Sequence, residues 1–357
     1  MFQKADGMTY APAGRTTRVC PPGALRVGVI GLDHGHIFGM CNGLREAGAD
    51  VSVVYDPDPR KVAAFGDAYP GVRIARSEGE VLEDPGVALV ASAAVPCDRA
   101  PLGLRVMDHG KDYFTDKPPV TTRKQLEAVR AKVTATGRKY AVYYSERVHV
   151  EAAVAADRLV AEGAIGRVLH LVGLGPHRLN APSRPAWFWD ARQSGGILCD
   201  LGCHQIEQFL HWTGAENATL VQSRVVESRA RPGFQELGDA MFVADNGATH
   251  YLMVHWHTPD GLSAWGDGRA FLTGTEGSLE LRKYLDVARE KEGDHVYLVN
   301  RQGERHIPVH GQEGFPFFGR MVLDCLNRTE TAMTQSHAFR AIELALLAQE
   351  NAVRVLR

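Results

Sequence analysis

From residue 25 to residue 144, short β-branched runs and helical runs succeed one another without interruption. This alternation constrains the fold more than any other feature of the 357-residue chain. Residues 25–31, 51–55, 87–94, 112–115 and 139–144 read as strands; residues 36–47, 59–69, 99–109 and 123–135 read as helices. Parallel strands cannot be joined by a tight turn, so each pair needs a crossover, and the crossover is right-handed. Several such units in succession build a parallel sheet with helices on both faces.

After Ser145 the pattern changes. A helix over 150–162 leads to a strand over 167–173 and then to an irregular Pro/Trp/Arg segment through Gln193. A helix carrying Asp200 and His204 follows, and then alternating strands over 219–227, 240–244, 249–256, 269–273, 278–282 and 295–299. Turns such as Asp245-Asn246-Gly247 and Thr275-Glu276-Gly277 mark antiparallel hairpins. Helices over 314–327 and 336–356 close the chain. The expected architecture is α/β: a parallel-sheet domain over 24–145, then an α+β domain with a mostly antiparallel sheet over 146–357. The closing helices are able to pack back on the first domain. Residues 1–23 are polar, have no apolar signal-peptide core, and read as an arm outside the first fold unit.

Composition excludes several partner classes. A net charge of −2 provides no basic field for nucleic acid and no polybasic patch for a membrane surface. No apolar run approaches the roughly 20 residues that span a bilayer. Six scattered cysteines give no disulfide framework, and a cytoplasmic protein is expected. Cys199 and Cys203 beside His204 raise a zinc reading, but they lack a Cys-x-x-Cys turn and a second ligand pair, so small buried residues explain them better.

Three stretches carry chemistry. The first is Gly195-Gly196-Ile197-Leu198-Cys199-Asp200-Leu201-Gly202-Cys203-His204, in which Asp200 and His204 form an i,i+4 pair. On an α-helix such a pair shares one face, where a carboxylate orients an imidazole and raises its pKa toward neutrality. The second is the strand–turn–helix around Gly31-Leu32-Asp33-His34-Gly35-His36. A Gly-x-Gly-x-x-Gly turn at this place binds dinucleotide pyrophosphate at the helix N-terminus. Here Gly31 is kept, while Asp33 and His36 replace the second and third glycines. The Asp33 carboxylate would repel phosphate unless it turns away or is offset by His34 or His36. Asp56, about 25 residues on, suits the adenine ribose hydroxyls and favours NAD, although Arg60 and Lys61 keep NADP open. Asp56-Pro57-Asp58-Pro59 is also helix-start chemistry, which leaves a capping role for Asp56 open. Asp33, His34 and His36 could ligate a metal, but a rigid turn rarely converges three such groups on one ion, and no metal is expected. The third stretch, Phe114-Thr115-Asp116-Lys117-Pro118, stands at the carboxyl end of a strand, where open α/β sheets bind ligands.

Together these residues resemble the Gfo/Idh/MocA oxidoreductases, the family of glucose–fructose oxidoreductase and inositol dehydrogenase. The family's Glu-Lys-Pro corresponds to Asp116-Lys117-Pro118, and its Gly-Gly-x-x-x-Asp-x-Gly-x-His matches Gly195 to His204 at every specified position. Val95-Pro96-Cys97-Asp98 lacks the histidine often found shortly after that strand. The resemblance implies a Rossmann-type first domain. It also implies a catalytic group of Lys117, Asp200 and His204: His204 takes the carbinol proton, Asp200 orients the imidazole, and Lys117 holds the substrate oxygen. Gly31, Asp33, His34, His36, Ile37, Asp56, Val95, Asp116 and Lys117 would form the NAD site. The substrates it implies are sugars, cyclitols and related polyols.

For such a substrate the aromatic and polar residues His177, Arg184, Trp187 and Trp189 are candidates, with His257 from the His255-Trp256-His257 cluster. With Trp265, Asp267 and Arg269 counted in the second cluster, four of the five tryptophans fall in these two segments, so at least one is expected to be functional. The family's second sheet often packs between subunits. Apolar residues on both faces of the strands holding Val225, Met241, Val243, Leu252 and Val254 fit a homodimer or homotetramer. Two other functions use the same scaffold: an NAD-dependent glycosidase working through transient oxidation, and a dinucleotide-binding protein without turnover.

Overall fold

The computed structural model describes residues 6–289 and 293–357. In chain order its elements begin β1 (Arg26–Ile30), α1 (His36–Ala47), β2 (Asp50–Tyr55), α2 (Pro59–Ala68), β3 (Arg73–Ile74), α3 (Glu78–Leu82), β4 (Leu89–Ser92) and α4 (Pro96–Asp108). Next come β5 (Asp112–Asp116), α5 (Arg123–Thr136), β6 (Tyr140–Tyr143), α6 (Ser145–Val148), α7 (Glu151–Ala161), β7 (Val168–Pro176) and α8 (Ala191–Ser194). A π-helical segment (Leu198–Gly202) runs into α9 (Cys203–Thr213). Strands β8 (Ala218–Glu227), β9 (Gln235–Ala244), β10 (Thr249–His255), β11 (Arg269–Gly274), β12 (Gly277–Arg282), β13 (His295–Asn300) and β14 (Gly303–Pro308) follow. The chain closes with α10 (Pro316–Asn327), α11 (Gln335–Glu350) and β15 (Val353–Leu356).

Two compact units result. The first comprises Met8–Tyr143 and Phe315–Ala338; the second comprises residues 6–7, Tyr144–Gly314 and Phe339–Arg357. In the first unit six parallel strands take the order β3-β2-β1-β4-β5-β6. Every residue of β4 and β5 is buried, as expected of parallel strands covered on both faces. Helix α1 buries Ile37, Met40, Cys41, Leu44 and Ala47, a stripe at helical spacing. The N-terminal segment is not outside this unit. It lies along α1: Asn42 Nδ2 donates to Pro12 O (3.2 Å), Gly14 and Thr16 N–H donate to the Glu46 carboxylate (2.5 and 3.2 Å), and Val19 N–H donates to Ala47 O (2.9 Å). Glu46 thus satisfies backbone donors that a free arm would leave to water.

In the second unit nine strands take the order β14-β13-β12-β11-β7-β10-β9-β8-β15. Pairing is antiparallel except for β7 with β10 and β8 with β15. The expected helix over 336–356 ends at Glu350, and Val353–Leu356 instead pairs with Arg224–Glu227. Val225, Leu252 and Val254 are buried, whereas Met241 and Val243 lie exposed on the opposite face. Register brings Phe271, Val172, Tyr251 and Met241 side by side across β11, β7, β10 and β9 on that face. Among the described residues no helix is long and apolar enough to cross a membrane.

Candidate active site

The strand order of the first unit's parallel sheet reverses between β1 and β4, and the carboxyl ends of strands at such a point are where ligands bind in this architecture. The turn after β1 is built for close approach. Gly31 has φ +82°, and a Cβ there would lie 2.8 Å from the Ala94 Cβ, so a side chain would be both strained and crowded. Asp33 is neutralised, but not by the neighbouring histidines. Its Oδ1 lies 2.5 Å from Lys61 Nζ and its Oδ2 accepts the Val95 N–H at 3.2 Å. The carboxylate therefore ties the β1 turn to the start of α4 instead of facing an anion uncompensated. Asp56 does not cap α2; Asp58 does, through Arg60 N–H (2.9 Å). Asp56 accepts the Leu32 N–H at 2.7 Å and the Asp58 N–H at 2.8 Å, one on each oxygen. A carboxylate oxygen has room for a second donor, so acceptor capacity for ribose hydroxyls remains. A dinucleotide fits this arrangement, with Gly31, Asp56 and the N-terminus of α1 to hold it.

Other members of the expected cofactor set have different places. Ile37 is fully buried in the α1 core and backs the turn rather than lining it. Asp116 is fully buried as well: its Oδ1 accepts from His36 Nδ1 at 2.9 Å, and its Oδ2 lies 3.2 Å from Arg99 Nη2 and 3.4 Å from His34 Nδ1. Burial works against its charge, but His36, Arg99 and His34 outweigh burial and hold the carboxyl well below the usual range. His34 Nδ1 accepts the His36 backbone N–H (3.2 Å), which puts the proton of a neutral His34 ring on Nε2. Burial, followed by the neighbouring His36, keeps the His34 pKa well below its ordinary value. His34, His36 and Asp116 bring potential metal ligands within 4.8 Å of one another. Asp33, the third ligand suggested by sequence, belongs instead to Lys61. The Arg99 guanidinium against Asp116 already supplies positive charge to this cluster.

Lys117 follows β5 and is nearly buried. Its backbone carbonyl is gripped by Arg99, a fully buried residue on the first turns of α4 that sequence reasoning missed. The only available signal was its place one residue beyond the segment lacking the expected histidine.

In the second unit the Gly195-Gly196 pair is explained by geometry: both residues have left-handed φ, +88° and +84°, and a Cβ on Gly196 would strike Gln349. Gln235 and Gln349 then cap the next N–H groups, Ile197 N–H at 2.8 Å and Leu198 N–H at 3.1 Å. The chain enters α9 through π-helical turns, so Asp200 and His204 are not a regular i,i+4 pair on one α-helix. His204 is buried, with the Tyr144 ring edge-on at 6.2 Å, whereas Asp200 is half-exposed and lies in the field of Arg184.

Beside His204 stands a buried polar cluster absent from the sequence reading. Glu146 Oε2 accepts from Gln205 Nε2 (2.8 Å) and from the fully buried Lys283 Nζ (3.1 Å), which also donates to Gln208 Oε1 (2.9 Å). Gln208 in turn donates to His204 O (3.0 Å). Burial opposes ionisation of Glu146, but Lys283, then His204 and His177, outweigh it and hold the carboxyl far below the usual range.

The substrate candidates divide. His177 and Arg184 are buried: His177 sits edge-on to Trp256 (5.5 Å) and tilted against Trp265 (4.5 Å), with its Nε2 3.8 Å from Glu146 Oε1. Arg184 lies over Phe188 (4.6 Å) and Trp256 (5.1 Å) and donates to Leu179 O (2.7 Å) and Arg178 O (3.0 Å). Burial lowers its pKa, with Asp6 and Asp200 opposing. Trp189, Phe188, Phe234 and Trp256 wall a recess that also holds Asp200 and Ser194. Trp187 is not among the residues lining that recess and packs on Phe188 (6.3 Å). His257 is exposed, 3.9 Å from Glu236.

Two family models match the chain: the NAD-binding Rossmann fold of the GFO/IDH/MocA oxidoreductases over residues 25–144, and the GFO/IDH/MocA C-terminal domain over residues 153–280. The chain belongs to this oxidoreductase family. A candidate oxidoreductase from Erwinia carotovora atroseptica SCRI1043 is 49% identical, with 93% of this chain and 99% of that one matched at a TM-score of 0.90. The scyllo-inositol 2-dehydrogenase (NAD(+)) of Bacillus subtilis (strain 168) is 28% identical over 227 residues, 63% of this chain. The match spans 61% of that enzyme's length, less than two thirds. Levoglucosan dehydrogenase, solved with NADH and L-sorbose, shares the fold at 18% identity and a TM-score of 0.73, over 92% of this chain and 97% of that one.

Proposed function

We propose that this chain is a cytoplasmic NAD-dependent oxidoreductase acting on a ring hydroxyl or ketone of a sugar, cyclitol or glycoside. The observation that carries the proposal is the anchored Lys117 just beyond β5, in a sheet of the kind that binds ligands at the carboxyl ends of its strands. Nicotinamide, when bound, supplies the hydride acceptor or donor. In the oxidative direction His204 takes the hydroxyl proton as the carbinol becomes a ketone, and Asp200 orients the imidazole. The Lys117 ammonium holds the substrate oxygen and stabilises negative charge developing on it. Reduction runs the same steps backward, with His204 returning the proton.

NAD is preferred over NADP because Asp56 follows β2 directly and the nearby cations, Arg60 and Lys61, are already paired with Asp58 and Asp33. The cyclitol and sugar names of the relatives support a polyhydroxylated substrate. Trp189 and Trp256 offer faces for sugar C–H groups, and Arg184 and His177 offer polar contacts. The apolar row of Phe271, Val172, Tyr251 and Met241 supports pairing of two copies through the second sheet.

The test is a panel of cyclitols, aldoses and glycosides with NAD, read by the near-ultraviolet absorbance of NADH. Turnover by the native chain and its loss in His204→Ala, with NADH binding retained, is the expected result. Equal turnover by His204→Ala would overturn the mechanism. Aglycone release without net NADH would replace it with glycoside cleavage through transient oxidation.

A further inference from the structure

We infer that Arg99 is the positioning residue for Lys117, and that it links this lysine through Asp116 and His36 to the turn after β1. This rests on the role given to Lys117 above. Arg99 is fully buried and spends its guanidinium on one place. Nε donates to Ala94 O at 2.8 Å, Nη1 donates to Lys117 O and to Pro118 O (3.1 Å), and Nη2 lies 3.2 Å from Asp116 Oδ2. The loop after β4 is thereby stapled to the loop after β5.

The need for such a staple follows from the ladder. Pairing of β5 ends at Thr115 with Ser92 on one side and at Asp116 with Tyr143 on the other. The carbonyls of Lys117 and Pro118 therefore lie beyond both neighbours, and buried carbonyls require donors. Only arginine presents several N–H groups in a rigid fork that reaches two successive carbonyls and a carboxylate at once. Asp116 holds that fork in plane, and its other oxygen takes the His36 Nδ1–H, His36 being the first residue of α1. A chain of hydrogen bonds and an ion pair thus runs from the first residue of α1, through Asp116 and Arg99, to the backbone of Lys117.

The path assigns Arg99 a role separate from cofactor affinity. Arg99→Lys keeps the charge but loses the fork, so it frees the Lys117 and Pro118 carbonyls while leaving Asp116 a cationic partner. Two measurements decide. In hydrogen exchange of the full chain without nucleotide, peptides spanning the end of β5 should exchange faster in Arg99→Lys, with β1 and α1 unchanged. In kinetics, Arg99→Lys should lower kcat by about ten- to a hundredfold, the cost of misplacing one reacting group, with NADH affinity within about twofold of native. Combined with Lys117→Ala it should cost no more than about a further twofold, since residues acting as one unit are non-additive.

Unchanged exchange at β5, or losses that multiply in the double variant, would overturn the inference. Acceleration throughout the first unit would do so too, because it would show general destabilisation. If Lys117→Ala alone keeps native turnover, the role of Lys117 falls, while exchange at β5 still decides whether Arg99 organises that loop. Should Arg99→Lys fail to fold, Arg99→Gln, which also loses the fork but leaves the bond between Asp116 and His36 in place, supplies the same two readouts.

Discussion

Loss of Lys283 should destabilise the second unit strongly. This lysine is fully buried, and its ammonium is bonded to Glu146 Oε2 at 3.1 Å and Gln208 Oε1 at 2.9 Å. Lys283→Met keeps the apolar stem and removes the charge, leaving the buried Glu146 carboxylate with the Gln205 amide and the nearby imidazoles. Breaking a buried pair from one side costs about 3–5 kcal/mol, because a charge remains without compensation. For a unit of roughly 200 residues that amounts to about 10 °C in Tm. Glu146→Gln combined with Lys283→Met should recover most of the loss, since the neutral amide carries no charge to desolvate. The pH dependence has a definite sign. In the native chain the Glu146 carboxyl is held below its unfolded value, so its contribution is present at neutral pH and is lost as pH falls through the folded value. In Lys283→Met the largest favourable charge is gone and burial dominates, so ionised Glu146 destabilises the fold at neutral pH and protonation relieves it. The gap between the two proteins should therefore be full at pH about 7, narrow toward pH about 4 as Glu146 of the variant takes up a proton, and close only as pH falls on through the lowered folded value of the native carboxyl. Urea unfolding followed by tryptophan fluorescence reads this unit selectively, because Trp187, Trp189, Trp212, Trp256 and Trp265 all lie in it. A Lys283→Met protein as stable as native, or a double variant less stable than the single, would refute the reasoning.

Three further outcomes follow from the same geometry. Gly31→Ala adds left-handed strain of about 1–2 kcal/mol to a Cβ 2.8 Å from Ala94 Cβ, and should weaken NADH binding at least tenfold in a fluorescence titration. Asp33→Gly releases Lys61 from its carboxylate and should move the NADPH-to-NADH affinity ratio about tenfold, roughly 1.4 kcal/mol, toward NADPH. Met241→Lys with Phe271→Lys should abolish the proposed pairing of two copies, giving monomers in sedimentation velocity where the native chain sediments as a larger species, without loss of secondary structure.

All strands of the parallel sheet but β3 were legible because each is a β-prone run next to a helix, and some of those helices carry their own stop signal, such as Gly48 after α1 or Gly137 after α5. What escaped lacked a local signature. Strand β3 has two exposed residues, and β14 is largely exposed and shows no alternation. Strand β15 reads as a continuation of α11 until its partner β8, more than a hundred residues earlier, is known. The π-helical entry to α9 depends on Gln235 and Gln349, which are remote in sequence. The site shows the same division. Gly31, Lys117 and His204 stand out by spacing, whereas Lys61 opposite Asp33, Arg99 behind Lys117 and the Glu146–Lys283 pair beside His204 are relations that only tertiary folding creates.

The most direct test of the central claim is a calorimetric titration of the chain, freed of carried-over nucleotide, with NADH and NADPH. Saturable binding of NADH, with NADPH weaker by about tenfold or more, is the result this account predicts, given an ion-paired Lys61 and an acidic ribose site. Binding of neither nucleotide, or preferential binding of NADPH, would contradict it.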